Sequence, residues 1–186
     1  MYYLNLPRIP ENLVTKIRLE SNLYKKPEGI YTSFDIPEIF KNAKEIENIY
    51  SKYFDEKISS ELFVMKNNTE TLNTISPHFD RERKIAVNYI IDTGEKNVKT
   101  VFYNKFRDDN EFENNNKINV NFDSKDLTID KSYVIETNKW HCFNSQIAHG
   151  VENIEVYRVI VILFLVTDMN FTEFLKKYNK YVINKV

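Results

Sequence analysis

Most of the chain, from Glu61 to Val166, consists of short segments typical of β-strands that are separated by polar connections. The segments are rich in β-branched and aromatic residues, which favour strands, and the connections are rich in Asp, Asn and Lys. The predicted strands cover residues 62–65, 85–91, 98–103, 118–122, 132–136, 140–143 and 155–166. Because no helical pattern separates them, we expect mainly antiparallel pairing, as in a double-sheet barrel.

Amphipathic patterns lie on both sides of these strands. Apolar residues recur at helical spacing from Pro10 to about Tyr24, and Pro10 suits a first helical turn. A second stripe runs from Ile39 to Phe54, and Asp35 is placed to cap the start of that helix. Residues 171–181 predict a helix near the end of the chain.

Together these patterns predict one α+β, mainly β domain of 186 residues. We expect a helical buttress in residues 1–57, a barrel of jelly-roll or cupin type in residues 58–168, and a C-terminal helix in residues 169–186.

Composition restricts the partners and the compartment. The chain has 26 basic and 27 acidic residues, so its charge gives no reason to expect nucleic acid or an anionic membrane as the main partner. A single cysteine, Cys142, excludes an intramolecular disulfide. The first residues lack the pattern of a signal peptide, and the apolar run at 159–166 is shorter than the ~20 residues that span a bilayer. We therefore expect a cytoplasmic protein.

Two of the three histidines lie in a pattern that suits a metal ion. His78 and Asp80 are two residues apart, so in an extended segment both side chains project to the same side. His149 would come from a late strand, which a barrel can bring beside them, and Gly150 permits close backbone packing there. Two imidazoles and one carboxylate are the facial triad that binds Fe(II) and leaves other positions open.

Arg158 follows His149 by nine residues and lies inside the apolar segment. Burying a guanidinium is costly unless an anion accompanies it, and its planar fork matches a carboxylate. Two partners are possible: the carboxylate of a cosubstrate, or a protein carboxylate in an internal salt bridge.

Several neighbouring residues allow two interpretations. His141 competes with His149 as the second histidine ligand, but only His149 is followed by Gly-Val and by an arginine at this spacing. His141 and Trp140 are then either supports behind the metal ligands or core residues. Arg83, three residues after Asp80, either contacts an acidic substrate or faces solvent, and we favour solvent.

The His78-x-Asp80 motif, the His149-Gly-Val sequence and Arg158 resemble the signature of the Fe(II)/2-oxoglutarate-dependent dioxygenase superfamily, in particular its prolyl-hydroxylase-like and small phage or bacterial members. The resemblance covers about residues 61–166 and implies a double-stranded β-helix. It also implies that His78, Asp80 and His149 hold Fe(II) and that Arg158 binds the distal carboxylate of 2-oxoglutarate.

The same resemblance extends to two further strands. Asn88 and Tyr89 resemble residues that contact the cosubstrate from the strand after the first motif, and Tyr103 is a second candidate on the following strand. The turn before that strand, residues 94–100, keeps only part of the family's pattern.

Membership would imply a reaction with O2 and 2-oxoglutarate that releases succinate and CO2 and hydroxylates a protein, a peptide or a small molecule. No acid or base separate from the iron is assigned. The polar segment from Arg107 to Lys117 is interpreted as a lid. Two alternatives remain: a keto-acid-independent metalloenzyme of the cupin type, whose ligand sets are usually richer in histidine, and a non-catalytic barrel that acts as a binding module.

Overall fold

The computed structural model of the chain describes residues 1–23, 29–32, 37–66, 74–80, 83–107, 120–155 and 157–185. Within these ranges, twelve strands form two sheets and three α-helices accompany them. The helices are α1 (Glu11–Leu23), α2 (Pro37–Tyr50) and α3 (Phe171–Lys177). The strands are β1 (Tyr2–Leu4), β2 (Gly29–Thr32), β3 (Ile58–Lys66), β4 (Ile75–Phe79), β5 (Ile85–Asp92), β6 (Lys99–Phe106), β7 (Val120–Asn121), β8 (Ile129–Val134), β9 (Trp140–Asn144), β10 (Ile147–Glu152), β11 (Tyr157–Leu165) and β12 (Val182–Lys185).

The two sheets have the topology of a double-stranded β-helix. The larger sheet has the order β12-β1-β9-β5-β11-β3-β2 and the smaller has the order β7-β4-β10-β6-β8. From β3 to β6, and again from β8 to β11, successive strands alternate between the two sheets. All recorded pairings are antiparallel. The predicted α+β, mainly β barrel of jelly-roll or cupin type is confirmed.

The larger sheet separates two apolar layers. Its outer face packs against the helices, where Val14 and Ile17 of α1 and Ile46 of α2 join the main core. Its inner face contributes residues such as Ile90 and Ile160 to a second cluster inside the barrel. Because successive side chains of a strand point to opposite faces, each buried strand serves both layers.

Local signals explain where two of the helices begin. The Pro10 carbonyl accepts hydrogen bonds from the backbone N–H groups of Leu13 and Val14, at 2.9 and 3.0 Å, so α1 starts directly after this proline. Asn170 and Glu173 form a capping box at the start of α3. The predicted cap Asp35 lies outside the described residues. No helix in the described part of the chain combines the length and the apolar character needed to cross a membrane.

The two ends of the chain differ from the prediction. Residues 1–57 contain β1 and β2 as well as helices, and both strands extend the larger sheet. The C-terminal helix ends at Lys177, and β12 pairs with β1 instead of continuing the helix. Such short strands carry too little periodicity to be recognised, and pairing with a sheet edge satisfies their backbone groups. Of the predicted lid, only Arg107 lies within the described residues.

Gly150 brings β10 close to β4. A Cβ atom at this position would lie 2.7 Å from the carbonyl oxygen of Ile75 and 3.3 Å from the nitrogen of Pro77. The close backbone packing expected at Gly150 is confirmed, and it lies directly beside His149.

Gly150→Ala is expected to destabilise the protein by about 1–3 kcal/mol, because β4 backbone has to move away from the added methyl group. Urea unfolding measures this loss, with Ser132→Ala on the exposed surface of β8 as the control. The variant should also bind metal more weakly, since the two strands that are forced apart, β10 and β4, carry His149 and His78. Wild-type stability in Gly150→Ala would contradict the close approach.

Candidate metal centre

Three candidate ligand residues lie close together at two paired strands of the smaller sheet: His78, Asp80 and His149. His78 lies on β4 directly opposite His149 on β10, and Asp80 follows the end of β4. The Asp80 carboxylate lies 3.7 Å from His78 Nε2 and 3.8 Å from His149 Nε2. One donor atom from each residue lies within 4.8 Å of the others. The sequence prediction and the structure thus bring the same three residues together.

The backbone orients both imidazoles. The Nδ1 atom of His78 lies 2.8 Å from the carbonyl oxygen of Ser76, and that of His149 lies 2.9 Å from the carbonyl oxygen of Ile147. A carbonyl only accepts, so Nδ1 carries the proton and Nε2 keeps its lone pair. Both lone pairs are therefore available on the side of Asp80, as metal binding requires.

The protonation states also suit a cation. Burial lowers the pKa of His149 to about 4, so this imidazole is neutral at neutral pH. Burial by itself raises the pKa of Asp80, but the Arg83 guanidinium and the two imidazoles more than offset it and hold that pKa below its usual value. A neutral imidazole and an ionised carboxylate are the forms that bind metal.

Arg83 is a site residue that sequence reasoning missed. Its Nε donates to Asp80 Oδ2 at 2.6 Å and its terminal nitrogen donates to Asn88 Oδ1 at 3.0 Å. Its side chain is only 10% exposed, and its guanidinium lies 5.5 Å from the Phe164 ring. The preference for a solvated Arg83 was wrong, because its side chain is largely buried and binds the Asp80 carboxylate. The spacing of three residues from Asp80 was the available signal.

A cavity of about 360 Å³ opens beside the three ligand residues. Most of its wall is apolar and comes from the inner faces of both sheets, including Ile90, Ile160 and Phe143. Asn88, Thr100, His141 and Arg158 add polar groups to this wall. The candidate metal ligands therefore border a cavity large enough for small organic ligands.

Arg158 is buried in this wall with a charge that is only partly compensated. The residue is 2% exposed, and its terminal nitrogen donates to the carbonyl oxygen of Thr93 at 3.2 Å. Its Nε has no hydrogen-bond partner, and among the described residues no carboxylate lies within 4.0 Å of its guanidinium. Burial lowers its pKa to about 10, so it remains a cation at neutral pH. The internal salt bridge considered for Arg158 is absent from the described part of the chain.

Asn88 borders the cavity as expected, but three other candidates do not. Tyr89 and Trp140 point to the helix-facing side of the larger sheet, where their ring centroids are 5.0 Å apart. Tyr103 packs in a separate cluster with Phe79 on the outer side of the smaller sheet. The assignments of Tyr89 and Tyr103 to the cosubstrate are therefore wrong, whereas Trp140 is a core residue, one of the two interpretations considered for it. Each of the three sits one position out of phase with the inward-facing side chains.

His141 lies in the cavity wall and is not one of the three clustered ligands. It is 1% exposed, its Nδ1 lies 3.4 Å from the carbonyl oxygen of Asn88, and its Nε2 has no hydrogen-bond partner among the described residues. Burial lowers its pKa to about 4, and the charge of Arg158 lowers it further. It is thus a buried, neutral histidine with an unused ring nitrogen.

The buried histidines make the metal-free protein sensitive to acid. His141 and His149 have pKa values of about 4 in the folded protein, below the ordinary 6.5. Between pH 6.5 and 4 the unfolded chain binds protons that the folded chain does not. As the pH is lowered through this range, we expect the free energy of unfolding to fall by roughly 1.4 kcal/mol per pH unit for each histidine. Urea unfolding at several pH values measures this slope, which His141→Gln should reduce by about half. An unchanged slope would contradict the buried neutral state of His141.

The comparisons with known proteins identify a fold. No family model and no curated protein matches the sequence. Among solved structures, the chain is similar to the non-heme alpha ketoglutarate dependent epimerase SnoN from nogalamycin biosynthesis, with a TM-score of 0.50, 8% identity, and coverage of 89% of this chain and 77% of that one. Weaker similarities are to oxalate oxidase in complex with glycolate (TM-score 0.35, 13% identity, 76% and 53% covered) and to DMSP lyase DddQ from Ruegeria pomeroyi DSS-3 (0.34, 7%, 62% and 41%).

At these identities the similarity extends to the fold alone. The chain also spans only about two-fifths of the length of DddQ. The fold and the clustered side chains define a cupin-like double-stranded β-helix with a candidate His-Asp-His metal centre.

Proposed function

We propose that this protein is a non-haem Fe(II)- and 2-oxoglutarate-dependent dioxygenase that hydroxylates a protein, a peptide or a small molecule. The observation that carries the proposal is a single cavity bordered by two imidazoles, one carboxylate and a buried arginine without a protein carboxylate partner. A metal explains the clustered ligands, and a dicarboxylate explains the arginine. SnoN, of similar fold, is described as alpha ketoglutarate dependent, which is compatible with this combination.

In this proposal His78, Asp80 and His149 hold Fe(II), and Arg158 binds the distal carboxylate of 2-oxoglutarate. When bound, the iron and the keto acid supply O2 activation with release of succinate and CO2. The chain's own residues position and enclose the reactants. Arg83 keeps one Asp80 oxygen hydrogen-bonded, the Ser76 and Ile147 carbonyls fix both imidazoles, and the apolar wall limits the access of water.

The experiment that tests this function is an anaerobic titration of the Fe(II)-loaded protein with 2-oxoglutarate. Chelation of the iron by a keto acid should produce a visible charge-transfer band that saturates with one equivalent. Bound iron without the band would contradict the proposed cosubstrate and favour a keto-acid-independent metalloenzyme of the cupin type. Failure to bind iron would favour a non-catalytic binding module.

A further inference from the structure

The cavity contains a second buried polar group that the proposed ligand contacts do not use. The Nε2 atom of His141 and the Nε atom of Arg158 are both buried in its wall without a hydrogen-bond partner among the described residues. Leaving buried polar atoms unpaired is unfavourable by about 1–3 kcal/mol each. Two such atoms on residues that line one cavity indicate that a polar ligand completes the site.

His141 lies on the inward-facing row of the larger sheet. It is paired with Asn88 on β5, which in turn is paired with Ile162 on β11. Arg158 lies on the same face of β11 as Ile162, four residues away, and all four residues border the cavity. A ligand in this cavity can therefore contact His141 as well as the metal centre and Arg158.

The chemistry of the ring restricts how His141 can meet that ligand. Its Nδ1 faces the Asn88 carbonyl at 3.4 Å, so Nδ1 carries the proton of the neutral ring and Nε2 is an acceptor. A carboxylate is also an acceptor and can meet Nε2 only after that atom has gained a proton. For the two groups to come into contact, Nε2 first takes a proton from the solvent. The new N–H group then donates a hydrogen bond to a carboxylate oxygen.

The charges around His141 favour protonation of its Nε2 only when an anion is bound nearby. Lys139 and Glu136 face it from the loop before β9, but they pair with each other at 2.7 Å and largely compensate. Tyr3 of β1 covers the ring, with centroids 5.1 Å apart, and its hydroxyl donates to Glu136. Burial is the main cause of the low pKa of His141, and Arg158 is the main uncompensated charge that adds to it. A dianion bound at Arg158 would reverse this influence.

We propose that His141 is a second contact for 2-oxoglutarate and that its Nε2 takes up a proton when the cosubstrate binds. The inference rests on the proposed function. Because the ring is neutral in the free protein and charged in the complex, cosubstrate affinity should weaken as the pH rises. The dissociation constant of 2-oxoglutarate should rise by up to about tenfold per pH unit, between the pKa of His141 in the free protein and its pKa in the complex.

Calorimetric titration of the anaerobic Fe(II)-loaded protein with 2-oxoglutarate tests the inference. Titrations between pH 6 and 8, each in two buffers with different ionisation enthalpies, count the protons taken up on binding. Both carboxyl groups of the ligand are ionised in this range and contribute none. We expect the wild-type protein to take up nearly one proton per bound 2-oxoglutarate at the lower pH. The variant His141→Gln retains a polar group but cannot be protonated in this range. It should lose both the proton uptake and the pH dependence of the affinity.

The possible results separate the two proposals. Tight binding of 2-oxoglutarate without proton uptake, and with the same affinity at every pH, would overturn the role of His141 and leave the proposed function intact. Absence of any binding to the Fe(II)-loaded protein would overturn both. The proton count requires only the wild-type protein, so it decides the question even if His141→Gln does not fold.

Discussion

Asp80→Ala is expected to lower the affinity for Fe(II) by more than about 100-fold, since even residues behind metal ligands contribute 10–100-fold. The substitution removes the anionic ligand and leaves two imidazoles next to the Arg83 guanidinium, which repels a cation. Turnover should be abolished at subsaturating iron. Anaerobic equilibrium dialysis with Fe(II) measures the loss.

Asp168→Ala is the matched control, because Asp168 is a fully exposed carboxylate outside the candidate site. Asp80→Asn adds a second test, since it retains the hydrogen-bonding shape towards Arg83 but removes the charge. Wild-type iron affinity in both Asp80 variants would eliminate Asp80 as a ligand.

Arg158→Gln is expected to weaken 2-oxoglutarate binding by about 30-fold or more, because truncating one partner of a buried charge pair costs about 2 kcal/mol or more. Fe(II) binding should remain, since Arg158 is not among the clustered ligands. Titration of the charge-transfer band measures cosubstrate affinity, and dialysis in the same samples measures iron affinity.

Arg18→Gln is a suitable control for this substitution. Arg18 also donates to a backbone carbonyl, that of Ile91 at 2.9 Å, but it lies on α1 and does not border the cavity. Equal 2-oxoglutarate affinities in the two variants would reject a cosubstrate role for Arg158. Loss of iron binding in Arg158→Gln would instead indicate that the substitution disturbs the barrel.

Side-chain patterns in the sequence were sufficient for the fold class. Five of the seven predicted strands overlap closely with β3, β5, β6, β9 and β11, because these segments are long and rich in β-branched and aromatic residues. The strand predicted at 132–136 begins instead at Ile129, and the strand predicted at 118–122 is described only as β7. The short strands β1, β2 and β12 were missed because three or four residues give no measurable periodicity. The strands β4 and β10, which carry His78 and His149, were not among the predicted strands either.

The candidate site shows the same division. His78, Asp80, His149 and Arg158 were recognisable because their types and spacings are unusual in an apolar, strand-rich segment. The orientations of Tyr89, Tyr103 and Trp140 were not, because the strands that carry them are buried on both faces. Such strands lack the alternation of polar and apolar residues that would show which side chains face inward.

The sequence by itself determined the fold class, the ligand types and the buried arginine, since these depend on residue identity and local spacing. Tertiary structure decided which residues share the cavity with them. It placed Arg83 on Asp80, placed His141 in the cavity wall and directed the two tyrosines elsewhere. The physical reason is that the register between strands, set by packing of distant segments, selects the face on which each side chain lies.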